Sequence, residues 1–189
     1  MNGQIVVISG PSGVGKGTVC HAIRQSLDVV PSISMTTRAP RPQEQNGVDY
    51  FFVDRPTFQQ HIDKGNMLEW AEYNHNLYGT PRHGVEEPVK QGKHVLLEID
   101  PVGSLNVKRL FPQALLIFLS PPSLETLKQR LVHRQTNTNA DIENRLKISE
   151  QELAQSKQFD HVVVNDRLQS CIDEVKTLIE SFLNRKSHE

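Results

Sequence analysis

The stretch Ile5-Val6-Val7-Ile8-Ser9-Gly10-Pro11-Ser12-Gly13-Val14-Gly15-Lys16-Gly17-Thr18 decides the fold. Its opening, Ile5 to Ile8, is an unbroken apolar run, which suits a strand buried on both faces of a parallel sheet. Beyond Thr18 the apolar positions switch to helical spacing, at Val19, Ala22, Ile23 and Leu27. Between the two lies a loop rich in Gly. A loop that turns several backbone N–H groups toward one anion needs conformations open mainly to Gly. The helix behind it aims its positive end at the same point, and Lys16 adds a mobile charge for outer phosphates. Strand, loop, helix and Lys in register assign Gly10 to Thr18 to a nucleoside triphosphate, while leaving the reaction open.

The strict form of this loop has Ser or Thr after the Lys, and Gly17 stands there instead. The hydroxyl that would hold Mg²⁺ is missing, and Thr18 is displaced by one residue. The expectation is Mg²⁺ arriving with ATP and held through water, with no direct protein ligand and with Asp100 or Thr18 nearby. Adenylate-kinase-like enzymes also carry Gly-Lys-Gly-Thr, so the chain's departure is one that a resembling family tolerates.

Working outward, Val95 to Ile99, Leu115 to Leu119 and His161 to Val164 repeat the apolar-run pattern, and helix-period segments separate them. This alternation predicts an α/β fold, a parallel sheet core flanked by helices on both faces. The last helix is the clearest: Leu168, Cys171, Ile172, Val175, Leu178, Ile179, Phe182 and Leu183 form one stripe. Cys171 lies on that stripe and Cys20 in the first helix, so both read as packing residues.

Composition narrows the class. Of 189 residues, 37% are hydrophobic and 23% charged, with 21 Lys+Arg against 22 Asp+Glu. That excludes a disordered tail, a collagen-like fibre and a membrane bundle. The densest apolar stretch, Ala114 to Leu119, falls far short of the roughly 18 residues a membrane helix needs. A net charge of −1 argues against wrapping duplex nucleic acid. The first Lys is at position 16, so the basic start of a signal peptide is lacking. Two cysteines make neither a disulfide scaffold nor a zinc cluster, and the histidines show no ligand spacing. The expectation is a reduced, cytoplasmic, soluble domain, with no nucleic acid or membrane partner.

From Ser34 to Thr80 the alternation breaks. Pro40 and Pro42, the run Tyr50-Phe51-Phe52, a short helix around Phe58 to Ile62 closed by Gly65, and Leu68 to Tyr73 suggest a small mixed α/β insertion with strands of its own. In Thr37-Arg38-Ala39-Pro40-Arg41-Pro42 the prolines favour a polyproline-like path of about three residues per turn. Arg38 and Arg41 then share a face and make a fork for a phosphate dianion. Tyr50 and Tyr78 can add hydroxyl donors, and Tyr78-Gly79-Thr80 reads as a turn.

Gly10 to Thr18, Thr37 to Pro42, Gly47-Val48-Asp49-Tyr50-Phe51-Phe52, Leu68-Glu69-Trp70-Ala71-Glu72, Tyr78-Gly79-Thr80 and Val163-Val164-Asn165-Asp166 follow one another in order. In these motifs, over essentially its whole length, the chain resembles the guanylate kinases. The resemblance implies phosphoryl transfer from ATP to GMP, and to dGMP, giving ADP and the diphosphate. It implies one domain, with a core over 1–33, 81–126 and 157–189, a GMP-binding insertion over 34–80 and a helical lid over about 127–156. By it, Arg38, Arg41, Tyr50 and Tyr78 match positions that hold the GMP phosphate, with Glu44 and Thr80 beside them; Ser34, Glu69 and Asp100 match those that read guanine. Chemistry agrees with the base assignment. Guanine offers N1–H and N2 donors beside an O6 acceptor, so a carboxylate and a hydroxyl suit it, whereas adenine would present an acceptor to Glu69. Asp100, at a strand end, can accept from guanine, orient water around Mg²⁺, or serve both.

Arg130 and Arg134 lie four apart on a helix starting near Ser123, and Arg145 is on the next. The resemblance places Arg134 and Arg145 on a mobile lid that closes on the transferring group, with Lys16 and Arg38 as the other catalytic cations. Arg130 and Asn165 are candidates for the ATP side. Where the family usually has Gly on both sides of the lid arginine, His133 and Gln135 flank Arg134, which predicts a stiffer hinge. After Asp100 the family usually has Gln, then Gly-Ala; Pro101-Val102-Gly103-Ser104 here predicts weaker GMP binding. Three other readings compete: a kinase of a sugar phosphate, a scaffold module binding phosphopeptides, and a GTP-binding switch. Ser34, Glu69 and Asp100 oppose the first; Lys16, Arg134 and Arg145 oppose the second; the lack of Asn-Lys-x-Asp opposes the third. Sequence leaves the choice between monomer and homodimer open.

Overall fold

The computed structural model describes residues 3–73, 75–133 and 139–186. Two sheets organise them. The chain begins with β1 (Ile5–Ser9), α1 (Lys16–Ser26) and β2 (Val29–Pro31). It then crosses a second sheet through β3 (Met35–Thr36), β4 (Phe51–Phe52), α2 (Arg55–Asp63), β5 (Met67–Tyr73) and β6 (Asn76–Pro81). It returns through α3 (His83–Lys90), β7 (His94–Glu98), α4 (Pro101–Leu110) and β8 (Leu115–Ser120). Last come α5 (Leu124–His133), α6 (Asn139–Ala154), a 3₁₀ turn (Gln155–Gln158), β9 (His161–Val164) and α7 (Leu168–Lys186).

The main sheet is parallel, in the order β2-β7-β1-β8-β9. Its apolar runs exist because both faces are covered. Val6 and Ile8 of β1, with Leu115, Ile117 and Leu119 of β8, pack on the side of α1 and α7. Ile5 and Val7, with Leu116 and Phe118, pack on the opposite side with Val107 of α4 and Val85 of α3. The short edge strand β2 carries no apolar run long enough to be read from sequence. At the other edge β9 departs from expectation: Val162 and Val164 are 47% and 51% exposed, and only Val163 is buried. An edge strand has one sheet neighbour, and here helices cover one of its faces alone. Likewise Leu168, on the predicted stripe of α7, is exposed, because it begins the helix beyond the core.

The second sheet has the order β4-β3-β6-β5 and encloses Met35, Phe58, Met67 and Leu77. Asp54 caps α2 through Thr57 N–H at 2.8 Å, with Pro56 in its first turn. Tyr78-Gly79-Thr80 is not a turn. The residues lie within β6, whose backbone pairs with β3 on one side and β5 on the other. The left-handed backbone falls instead at His75, with φ 63°. Arg134 and Gln135 lie outside the described residues, as do positions 136–138 of the predicted lid; α6 supplies its following helix. Among the described residues, no helix is long and apolar enough to cross a membrane.

Candidate active site

Strand β1 delivers the phosphate loop to the carboxyl edge of the sheet, between β7 and β8, where parallel α/β sheets place their ligands. Gly15 precedes α1 with φ 105°, and a Cβ there would stand 2.7 Å from Asn165 Nδ2. Lys16 folds back over its own loop. Its Nζ donates to the Gly10 carbonyl at 2.5 Å and the Pro11 carbonyl at 3.3 Å, with Asp100 Oδ1 3.8 Å away. Neutral carbonyls are weak partners for an ammonium group compared with a phosphate, so this lysine is poised to exchange them.

A cleft of about 510 Å³ runs from the loop to the second sheet. On the loop side it is lined by Ser12, Gly13, Gly15, Lys16 and Gly17, and on the far side by Ser34, Arg38, Arg41, Glu44, Tyr50, Glu69 and Tyr78. Asp100 and Arg145 also face it. The remaining predicted ATP residues do not line the cleft. Pro11 and Val14 are buried, and Thr18 is exposed outside the cleft. Asn165, buried, donates its amide to the Val14 carbonyl at 2.8 Å. Arg130 donates to the Val14 carbonyl at 3.3 Å and the Asn165 carbonyl at 2.9 Å. The two residues brace the loop from outside the cleft, rather than lining it.

On the far side, Arg38 donates from both terminal guanidinium nitrogens to Glu44, at 2.6 and 2.9 Å. The Arg41 backbone N–H adds a bond of 2.8 Å, and its guanidinium stands 3.6 Å from the same carboxylate. Hydrogen bonding from Arg38 holds the Glu44 carboxyl below the usual range. The two arginines thus converge on one anionic group, as their spacing implies, and that group is a carboxylate of the chain itself. The Arg38 guanidinium carbon lies 5.2 Å from the centre of the Tyr50 ring, and Tyr78 meets Tyr50 edge-on at 6.2 Å. Burial raises the Tyr50 phenol well above its ordinary value, keeping it a donor.

Between the two ends stands Glu69, 8% exposed. Thr80 Oγ1 donates to its Oε1 at 2.6 Å, so Thr80 sits behind the carboxylate, outside the cleft lining. Burial pushes the Glu69 carboxyl up to about 7, although the Thr80 bond opposes it and the Asp100 charge adds to it. Its other oxygen faces α4. A Cβ on Gly103 would come within 2.5 Å of Glu69 Oε2, so a larger residue there would have to displace the helix or the carboxylate. Asp100 precedes α4 without capping it, Pro101 opens the helix, and Val102 is exposed outside the cleft.

Sequence reading missed Glu98. It hides inside the apolar run Val95 to Ile99, yet alternation along a strand sets Glu98 and Asp100 on one face, a signal available without coordinates. Glu98 lines the cleft opposite α1. Crowding by protein raises its carboxyl, against the pull of Lys16 and Arg24, and it shares a hydrogen bond with Cys20. Burial and the Glu98 charge raise the Cys20 thiol well above its ordinary value, so it packs and donates rather than reacting. A Cβ at Gly17 would stand 3.5 Å from Glu98 Oε1, an ordinary contact. The donor set offered to a cation is therefore carboxylate oxygen from Glu98 and Asp100, which suits a hydrated, hard ion such as Mg²⁺. Among the described residues, no group of three or more His, Cys, Asp or Glu could hold a metal by itself.

With this geometry, the comparisons with known proteins agree. The family model described as guanylate kinase matches residues 2–182. A guanylate kinase of Bacillus subtilis is 50% identical over 179 residues, covering 94% of this chain and 88% of the relative. One from Thermus thermophilus is 49% identical over 185 residues, covering 98% and 84%. The crystal structure of a guanylate kinase from Anaplasma phagocytophilum superposes with a TM-score of 0.82 at 32% identity, covering 96% of this chain and 87% of that one. A gluconokinase from Sinorhizobium meliloti, 14% identical with a TM-score of 0.55, shares the fold alone. A triphosphate loop facing a guanidinium fork and a buried carboxylate, on a fold matched end to end, has one family to answer to: the chain belongs to the guanylate kinases.

Proposed function

We propose that the chain transfers the γ-phosphoryl group of ATP to GMP, and to dGMP, giving ADP and the corresponding diphosphate. The observation that carries this reading is one cleft with Lys16 at one end, the Arg38–Arg41 pair at the other, and Glu69 between them. The phosphate of GMP takes the fork that Glu44 fills, with Tyr50 and Tyr78 donating from the side. Glu69 accepts from guanine N1–H and the N2 amino group, and Ser34 donates to O6. Asp100 lies within reach of both base and phosphates. The division into core, GMP-binding insertion and lid follows the same reading.

In the transfer step, an oxygen of the GMP phosphate attacks the γ-phosphorus as the bond to the bridging oxygen of ADP breaks. The protein's part is alignment and charge neutralisation. Lys16 exchanges its loop carbonyls for the outer phosphates, while Arg145, and Arg134 beyond the described residues, meet the transferring group. Mg²⁺ would neutralise phosphate charge, held through water by Glu98 and Asp100; Thr18, outside the cleft, takes no part in holding it. The buried, unpaired cysteines Cys20 and Cys171 support a reducing, cytoplasmic setting.

A coupled assay of ADP release with ATP and Mg²⁺ tests the reading, offering GMP, dGMP, AMP, UMP and ribose phosphates in parallel. Turnover is expected with GMP and dGMP only, and is expected to disappear in Lys16→Ala and Glu69→Ala. Tight GMP binding without turnover of any acceptor would instead favour a binding module.

A further inference from the structure

Helix α6 carries a buried polar stripe toward the phosphate loop: Arg145, Ser149 and Glu152 are all buried. Spacings of four and three residues put them on one face. Arg145 Nη2 donates to Ser12 Oγ at 2.5 Å, and Ser149 Oγ donates to the Arg145 carbonyl at 2.8 Å. The Ser12 backbone N–H is directed at the Glu152 carboxylate. One loop residue thus faces one helix at two points, its hydroxyl bonded to Arg145 and its backbone N–H turned toward Glu152.

Glu152 is an expensive residue to keep there. It is 6% exposed, and its Oε2 has no hydrogen-bond partner among the described residues. The charged groups around it are Asp100 at the end of β7, Lys16 of α1 and Arg145 of its own helix. Burial raises its carboxyl to about 7 and Asp100 adds to the rise, while Lys16, the Ser12 amide and Arg145 oppose it. A buried carboxylate with one oxygen unpaired costs stability, and a neutral side chain of similar volume would pack more favourably. A carboxylate kept at that cost beside the phosphate loop points to a role in the site rather than in packing.

We propose that Glu152 is a positioning residue for Arg145: anchored on the Ser12 corner of the phosphate loop, it fixes how α6 approaches and so where the Arg145 guanidinium meets the transferring phosphoryl group. The inference rests on the reading of Arg145 given above. It differs from a packing role because Glu152 then acts on turnover only through Arg145.

The test is a double-mutant cycle on the full chain with Glu152→Gln, Arg145→Ala and the double variant, following kcat, the KM for GMP, and Tm at pH 8. Glu152→Gln is expected to lower kcat roughly tenfold with the KM for GMP within about twofold. Its Tm is expected to hold or rise. In the Arg145→Ala background the same change is expected to cost less than about twofold. An unchanged kcat, equal losses in both backgrounds, or a loss that accompanies a fall in Tm would each overturn the proposal. Glu152→Asp, which keeps the charge but withdraws it, carries the same comparison should Glu152→Gln fail to fold. If Arg145→Ala itself left kcat unchanged while Glu152→Gln lowered it, the reading of Arg145 would be what failed.

Discussion

At the scale of single residues, the role proposed for Glu69 couples base recognition to pH. Only its ionised form can accept from both guanine donors; once protonated it presents a donor to a donor. With burial holding the group at about 7, the competent form is full above neutrality and declines below it. The kcat/KM for GMP should therefore fall as pH drops through 7, approaching about tenfold per unit well below it. The KM for ATP should stay level. Steady-state rates between pH 5.5 and 8.5 measure this, with Glu69→Gln as the variant whose profile should lose that limb. A wild-type profile flat across 7 would mean that the Glu69 carboxyl of the free enzyme has an ordinary pKa. Glu69 was legible in the sequence because it stands in a distinctive motif beside an aromatic. Glu98 was not, because a lone carboxylate within an apolar run reads as part of the strand, and what exposes it is the open cleft beside α1.

At the scale of elements, the proposed base site depends on how closely α4 passes β5. Gly103 is the contact point, with space for a hydrogen but none for a methyl group against Glu69 Oε2. Gly103→Ala gains helix propensity of up to about 1 kcal/mol and yet must displace either the helix or the carboxylate. The expected outcome is a rise of about tenfold or more in the KM for GMP, with the KM for ATP and the far-UV spectrum retained. Equal rises in both constants would point to a general disturbance of the sheet. This contact also marks the limit of sequence reading. The strands of the main sheet announce themselves because two covered faces demand unbroken apolar runs. Strands such as Met35–Thr36 and Phe51–Phe52 are too short for any periodicity, and Tyr78-Gly79-Thr80 resembles a turn although pairing on both sides holds it extended. The places where helix and strand nearly touch, as at Gly103, follow from packing between segments distant in sequence, and no local pattern reveals them.

At the scale of the whole molecule, Glu69 in the cleft and Glu152 on α6 are two buried carboxylates, and both are raised from 4.5 to about 7. In the unfolded chain each releases its proton near the ordinary value; in the fold each keeps it until neutrality. Between those limits the folded state binds more protons than the unfolded one, so stability declines as pH rises. Below 4.5 both states are protonated and the two groups cost nothing; above 7 each cost is complete, on the order of 3 kcal/mol at most. Glu44, held low by Arg38, runs the other way: its contribution is present above the ordinary carboxylate pKa and lost in acid. Comparison with neutral variants isolates the two costs. In chemical denaturation without nucleotide, Glu69→Gln and Glu152→Gln should match the wild type near pH 4.5 and become progressively more stable than it up to pH 8. Variants that track the wild type at every pH would show that solvent reaches these carboxylates and that the fold bears no such cost. The expected divergence would mean that the protein accepts lower stability at its working pH in order to keep two charges out of water, one at the proposed guanine site and one where α6 meets the phosphate loop.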